Sequence, residues 1–558
     1  MLPLLHGKLT SGHDSLFYPP RVVTFEEGLK EGRILPRWTQ EFAGGYGEPY
    51  FNFSPPLLYY VTSLFRFAGA GVIDSLNFAV AFLLLLSGFT MYLLAAEIFD
   101  RAGGLVAGAA YMYAPYTLTD IYVRAAYAEF SSFATLPLIF WSFYKLAQTR
   151  QIRYLIAAAC SYALLLLCHN PVSLIFTPFL LLMILLSALR QRSRAVLLSQ
   201  SAAFVLGLAL SAFFWAPSLL EKKYIQIERL LQNALEYQNH FVYFRQLFNS
   251  PWGYGISAPG PNDGMSFEIG AFYLAALGVG GLMLLMRRLL PNREQRWFVA
   301  LMLIMAAASI FFMTEASSIA WAYLPPLQYL QFPWRFLVIV AMASSILAAV
   351  PSVLTRGRGR FVEWLPVLII PVIILTSLSK CKPNAVHPYK DDFFKAENII
   401  ARKLETSTVL EYRPKWVQND PPGPPASPLD LTAGSARLEV QQRSQTRYRF
   451  QIDARTPSYF RFNVHYFPGW RVEVDGVGRD VEPNNRFGLM EFSVEPGVHD
   501  VVARFQNTPI RTTAEAVSQF SIVMILILSI YACGEIKARA SVLRSEDLRP
   551  TPPRYVER

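Results

Sequence analysis

Charge is scarce in this 558-residue chain: Asp, Glu, Lys and Arg make up 16% of it, against about 25% in an average soluble protein. Cysteine is scarcer, with Cys160, Cys168, Cys381 and Cys533 as the whole complement. Their spacing allows neither an internal disulfide framework nor a zinc site. No P-loop, nucleophile elbow or HExxH motif occurs, and no repeat of fixed period. Apolar residues are what the chain has: 53% hydrophobic, 14% aromatic, mean hydropathy +0.28. This composition excludes a disordered chain, a collagen-like chain and a disulfide-stapled miniprotein. Apolar stretches of about 20 residues recur, the length that a bilayer-spanning helix needs. The chain reads as a polytopic α-helical membrane protein.

Eleven spans are expected, at 75–98, 103–118, 129–147, 153–169, 171–189, 196–219, 267–287, 297–313, 336–355, 361–379 and 514–535. The formal charge of +11 sits in short runs between them, so it speaks for orientation in a bilayer and not for nucleic acid. Lys145, Arg150 and Arg153 fill one loop, and Arg190, Arg192 and Arg194 the next on that side. Arg287 to Arg296, Arg356 to Arg360 and a basic C-terminal tail follow. The parity of these clusters places all five in the cytoplasm of a cytoplasmic (inner) membrane protein. It also places residues 69–75 outside. A first extracytoplasmic loop at 1–74 follows, with a juxtamembrane helix at 55–68 lying in the interface. An external N-terminus without an export signal predicts a further helix encoded upstream of Met1.

Residues 75–379 form the expected transmembrane core, interrupted by an outer loop at 220–266. Residues 380–512 read as an extracytoplasmic domain, followed by a C-terminal span at 513–535 and a cytoplasmic tail at 536–558. Asp391–Leu404 suits a helix, and Asp420–Pro428 is a stiff proline-rich linker. Alternating stretches at Arg437–Gln442, Arg447–Asp453, Tyr459–Val464, Arg471–Val474, Leu489–Val494 and Asp500–Phe505 predict a β-sandwich over about 430–510. Asp475-Gly476 is a hairpin signal within it.

Ionisable groups near membrane level are costly and often functional. On this topology His13, Asp14, Arg124, Glu129, His169, Glu268 and Arg335 gather at the outer ends of the spans. Each also has a structural reading. Asp14 suits a solvated loop acid or a helix N-cap, Arg124 and Arg335 suit snorkelling to headgroups, and Glu129 suits a salt bridge to Arg124. His169 suits a bonded turn residue, Glu268 a favourable acid at a helix start, and Trp334 the aromatic belt.

The order of several motifs carries a resemblance. The first loop contains Gly12-His13-Asp14, Gly32-Arg33-Ile34-Leu35-Pro36-Arg37-Trp38, Gly45-Tyr46-Gly47-Glu48-Pro49 and Phe53-Ser54-Pro55-Pro56-Leu57. This resembles the GT-C superfamily of lipid-linked-sugar glycosyltransferases. Arg124-Ala125-Ala126-Tyr127-Ala128-Glu129, Phe332-Pro333-Trp334-Arg335-Phe336, Glu411-Tyr412-Arg413-Pro414 and Tyr466-Phe467-Pro468-Gly469-Trp470 add a closer one. They resemble bacterial YfhO-like proteins and the membrane family labelled "6-pyruvoyl-tetrahydropterin synthase-related". No pterin site accompanies that label.

The resemblance implies a GT-C-like core and transfer of a sugar from a polyprenyl-phosphate donor to an envelope glycan, lipid or protein acceptor on the outer face of the bilayer. Asp14 would be the general base. Arg124 and Arg335 would hold the lipid phosphate, with His13, Glu129, His169, Glu268 and Trp334 lining the substrate site. His13-Asp14 stands where many relatives show a paired acid, which leaves a divalent metal an open requirement; no other cofactor is implied. Two other classes fit the same charges: a lipid or glycolipid transporter, and a non-catalytic scaffold for envelope assembly.

Overall fold

The computed structural model describes residues 2–5, 7–232, 235–404, 406–481 and 483–547. Met1 and residues 548–558 of the expected tail lie outside them. Among the described residues, six helices are long and apolar enough to cross a membrane: Val72–Ile98, Asn170–Gln191, Arg293–Met313, Pro333–Leu354, Phe361–Lys380 and Pro509–Gly534. A bent pair, Arg194–Leu210 and Ala212–Leu220, makes a seventh candidate with a 71° break. At that break the Ser211 hydroxyl donates back to the Gly207 carbonyl at 3.0 Å, a local bond that competes with the helix ladder.

Several of the eleven stretches expected as spans are broken or shorter in the structure. The stretch at 103–118 is cut, because helix Arg101–Met112 stops and Pro115 opens a second helix, Pro115–Tyr122. Proline lacks an N–H and suits a first helical turn, not a helix interior. The stretch at 129–147 begins as a short helix, Tyr127–Ser131, and a 3-10 turn, Ser132–Ala134, before helix Thr135–Thr149. Ile152–Cys168 and Ala271–Leu285 are apolar but shorter. Asp100 fixes the turn between two packed helices, accepting from Gly103 N at 2.8 Å and Ser352 Oγ at 2.7 Å.

The polar segments fold onto one another. Strand β1 (Leu9–Thr10) pairs antiparallel with β2 (Val386–His387), joining chain regions far apart in sequence. Helix Tyr18–Lys30 follows, and helix Leu57–Phe67 buries Leu58, Tyr59 and Thr62 while exposing Leu64 and Phe67. The helix expected at Asp391–Leu404 is a 3-10 turn, Asp391–Phe394, and a short helix, Ala396–Ala401.

Beyond the proline-rich linker lie β3 (Leu429–Ala433), β4 (Ala436–Arg443), β5 (Arg447–Ala454), β6 (Ser458–His465), β7 (Trp470–Val474), β8 (Val477–Arg479), β9 (Leu489–Val494) and β10 (Gly497–Phe505). One sheet runs β4-β5-β10-β7-β8 and the other β3-β6-β9. Along β5, exposed and buried side chains alternate, the period of two that a sheet with one buried face requires. Phe450, Ile452 and Val501 of the first sheet meet Phe460, Phe462 and Met490 of the second in one buried cluster. Asp475 and Gly476, at φ 51° and 77°, turn β7 into β8, the positive angles that a tight hairpin needs.

This sandwich rests on the first loop. The Trp38 ring packs edge-on against Trp470 at 5.5 Å. Gly47 passes so close that a Cβ would lie 2.5 Å from the Trp38 indole, and its φ is +79°; only glycine suits both conditions. The turn between β4 and β5 reaches the same loop through Gln445. Its amide nitrogen lies 3.3 Å from Glu41 Oε2 and 3.4 Å from Glu27 Oε2.

Burial, with the Glu27 charge adding to it, pushes the Glu41 carboxyl up to about 7. An unfolded glutamate titrates near ~4.3, so the folded chain keeps a proton that the unfolded chain releases. Stability from this group is complete below about pH 4.3 and declines as pH rises toward 7, by up to about 4 kcal/mol. Glu41→Gln mimics the protonated form and is expected to remove that decline. Thermal unfolding of both proteins at pH 5 and pH 8 reads it; parallel losses in wild type and variant would contradict it.

Candidate functional site

Two loops are laced together at the end of helix Pro115–Tyr122. His13 N donates to Val123 O at 3.1 Å and Asp14 N to Arg124 O at 2.9 Å. Gly12 permits the approach, since a Cβ there would lie 2.7 Å from Ala125 Cβ. Ala125 itself takes φ +51° at the turn. Asp14 precedes a 3-10 turn, Ser15–Phe17, but its side chain makes no capping bond. Among the described residues its half-buried carboxylate makes no hydrogen bond or ion pair, so it is an acceptor held in place by its backbone alone. His13 Nε2 lies 3.3 Å from Tyr254 O. Burial holds the His13 imidazole below the usual histidine range, which keeps it neutral near pH 7.

Behind this junction lies a buried ionic cluster. Arg124 pairs with Asp120 one helical turn away and donates to Glu129 Oε2 at 2.9 Å. Its guanidinium sits 4.5 Å from the Trp334 ring centroid, a cation–π contact. Tyr116 donates its hydroxyl to Glu129 Oε1 at 2.6 Å. Arg335 Nε lies 3.3 Å from Glu129 Oε2, and its Nη1 donates to Leu330 O at 2.5 Å. Two guanidiniums and two carboxylates cancel, which is how buried charge is tolerated. Four buried atoms in or beside it, Trp334 Nε1, His169 Nδ1, Asp120 Oδ2 and Arg335 Nε, have no hydrogen-bond partner among the described residues. His169 is in electrostatic reach of Glu129.

The fold thus brings Arg124, Glu129, Trp334 and Arg335 into direct contact, places His169 beside them, and fastens His13 and Asp14 to the same turn. Arg124 and Arg335 are buried and paired, which replaces the snorkelling reading of each. Glu268 is set apart: its carboxylate pairs with Lys380, while neighbouring Phe267 stacks on Trp334 at 5.8 Å. Among the described residues no group of three His, Cys, Asp or Glu is placed to hold a metal ion.

Sequence reasoning missed Asp120, Tyr116 and Arg21. The i, i+4 spacing of Asp120 and Arg124 in an apolar stretch was the available signal. Arg21 had none. It lies on helix Tyr18–Lys30, buried 5.0 Å from the ring centroids of Tyr18 and Tyr50, and donates to Thr406 O. It makes no ion pair among the described residues, and Asp14 is the carboxylate of the first loop within its electrostatic reach. The Glu48 carboxylate accepts from Arg413 at 2.6 Å and from Thr406 at 2.5 Å, joining two of the motif stretches.

Residues 51–384, well over half of the chain, match the family described as 6-pyruvoyl-tetrahydropterin synthase related domain, membrane protein. The chain belongs to that family. The matched segment contains the whole ionic cluster, while His13 and Asp14 precede it. A curated relative from Lactococcus lactis subsp. cremoris, described as an uncharacterized protein, is 26% identical over 188 residues. That match covers 33% of this chain and 31% of the relative, so the chain spans about a third of the curated protein it matches.

Solved structures also match. The Archaeoglobus fulgidus oligosaccharyltransferase in its apo form gives a TM-score of 0.40 at 14% identity, over 73% of this chain and 57% of that one. Arabinofuranosyltransferase AftD from Mycobacteria gives 0.39 at 15%, over 72% and 26%. ArnT from Cupriavidus metallidurans gives 0.25 at 12%, over 62% and 74%.

Proposed function

We propose that the protein is a membrane glycosyltransferase that moves a sugar from a polyprenyl-phosphate donor to an envelope glycan, lipid or protein acceptor on the outer face of the membrane. The observation that carries this reading is Asp14: an uncommitted carboxylate in a polar loop, bonded through its backbone to a turn that anchors a guanidinium cluster. A base needs a free carboxylate within reach of a hydroxyl, and a lipid phosphate needs cations in a site shielded from water. In a single inverting displacement, Asp14 takes the acceptor hydroxyl proton as that oxygen attacks the anomeric carbon. The bond from that carbon to the phosphate oxygen breaks, and the lipid phosphate leaves with the electron pair.

Arg124 and Arg335 face the leaving group in this scheme. Each already has a carboxylate partner, so they supply hydrogen-bond donors more than net charge. Arg21, which makes no ion pair among the described residues, adds a positive charge within electrostatic reach of Asp14. The test is sugar transfer from radiolabelled polyprenyl-phosphate sugars to membrane acceptors by the purified protein. Absence of transfer with every donor tried would remove the reading.

The sidedness is part of the proposal. The contacts of β1 with β2 and of Trp38 with Trp470 support a shared compartment for residues 1–74 and 380–512, and the arginine clusters support its being extracytoplasmic. With the native cysteines replaced by serine, Ile34→Cys and Val498→Cys are expected to react with an impermeant maleimide in intact cells. Thr149→Cys is expected to react only after permeabilisation. Labelling of Ile34→Cys and Val498→Cys from opposite sides would overturn the arrangement.

A further inference from the structure

An open cavity of about 350 Å³ lies against the Asp14 loop. Ser11, His13 and Ser15 form one wall, Tyr254 a second, and Asn384, His387 and Tyr389 a third. The β1–β2 pairing holds the first and third walls in register, with Leu9 opposite His387. Asp14 does not line the cavity, although both of its sequence neighbours do. The space is therefore a subsite beside the proposed base and not the place where the proton moves.

The lining decides what the cavity can hold. It contains no Asp, Glu, Lys or Arg, unlike the ionic cluster behind Arg124. His13, kept below the usual histidine range by burial, adds no charge near neutral pH. The Ser11 hydroxyl, the Asn384 amide and the His387 ring make no hydrogen bonds among the described residues, so donors and acceptors are free on two walls. Tyr389, Leu9 and Leu16 supply apolar faces. An anion would find no counter-ion here, and a lipid tail would strand the polar groups. Small-molecule pockets span about 300–1,000 Å³, which puts this one at the size of one or two sugar rings. A sugar ring offers hydroxyls around its edge and C–H groups on its face.

We propose that this cavity is a binding subsite for an uncharged sugar ring, placed to hold part of a glycan substrate while Asp14 acts next to it. The proposal rests on the glycosyltransferase reading for its role in turnover, but binding can be measured without it. The experiment is saturation-transfer NMR on the full-length protein in nanodiscs, free of sugar-headed detergent. The probes are glucose, galactose, mannose and arabinose, with glucuronate as a charged comparator. At least one neutral sugar is expected to bind, and to bind better than glucuronate. The double substitution Asn384→Ala/His387→Ala, both at exposed positions, is expected to weaken it about tenfold, the loss of two hydrogen bonds. Asp14→Asn is expected to leave it unchanged. No neutral sugar bound at tens of millimolar, a preference for glucuronate, or full binding by the double variant would overturn the subsite.

The transfer assay separates the two sources of a sugar ring. A tenfold rise in acceptor KM with unchanged donor KM assigns the subsite to the acceptor, and the reverse assigns it to the donor sugar. Transfer that proceeds with neither KM altered refutes the subsite and leaves the glycosyltransferase reading standing. Sugar binding lost in the double variant, with no transfer by wild type, does the opposite.

Discussion

Asp14→Asn is expected to slow sugar transfer by about 10²–10⁴-fold, the usual loss when a general base is removed. The substitution keeps shape and removes proton acceptance. It should leave folding intact for a structural reason. Asp14 is fixed by its backbone, with its N–H on Arg124 O and its carbonyl accepting from Phe17 N at 3.1 Å, and its side chain makes no bond among the described residues. Changes at such positions move stability by no more than about 0.5 kcal/mol. The decisive measurement is single-turnover transfer by purified wild type and variant, with thermal unfolding as the control. Full activity in the variant would refute the base. A transporter would show altered flux with no transfer in either protein, and a scaffold would be indifferent to the substitution.

Glu129→Gln is expected to act on the opposite property. Glu129 accepts from Tyr116 and Arg124 and lies 3.3 Å from Arg335 Nε. Without its charge, two buried guanidiniums share Asp120 alone. Removing one partner from a buried ion network costs about 3–5 kcal/mol, because the charge left behind is uncompensated. The variant should melt well below wild type and accumulate poorly. Glu129→Gln/Arg335→Gln restores neutrality and is expected to recover part of the loss. A single variant as stable as wild type would mean that water reaches the cluster and screens it. An unstable double variant would place the loss in the hydrogen bonds of Glu129 and Arg335 instead of in the charge balance.

The candidate site was legible where chemistry follows from residue type. Arg124, Glu129 and Arg335 stood out as charges in an apolar chain, and the fold places them in contact. The Glu129–Arg124 pair was legible, but the full neutralisation was not, because it depends also on Asp120, which lies between the expected spans at 103–118 and 129–147 and which sequence reasoning missed. Hydropathy registers apolar runs but not the turn at Tyr113-Ala114 or the bend at Ser211. That is why several of the eleven stretches expected as spans are broken or shorter among the described residues, beside six long apolar helices and one bent pair. In the sandwich, period-two alternation located β4, β5, β6, β7, β9 and β10 within a few residues. It missed β3, which follows directly on the proline-rich linker, and β8, whose three residues are all exposed. Contacts such as Glu48 with Arg413 lie beyond any spacing rule. A pairing 365 residues apart leaves no local pattern, only two motifs whose connection the fold supplies.

The C-terminal helix has a further role in how the protein is made. Glu221, at the end of the bent pair, accepts from Arg511 Nε and Asn52 Nδ2, both at 2.9 Å. Arg37 of the first loop reaches Glu515 at 3.1 Å. Both clamps draw on residues near the start and near the end of the chain, so neither is complete until the ribosome has passed Arg511 and Glu515. Arg37 can donate to Asn52 Oδ1 as soon as the first loop is made, and Asn52 can reach Glu221 once the bent pair is made, but Arg511 and Glu515 come last. Complete fastening of the 37–52 stretch is thus a late event in biogenesis, timed by synthesis of the last helix.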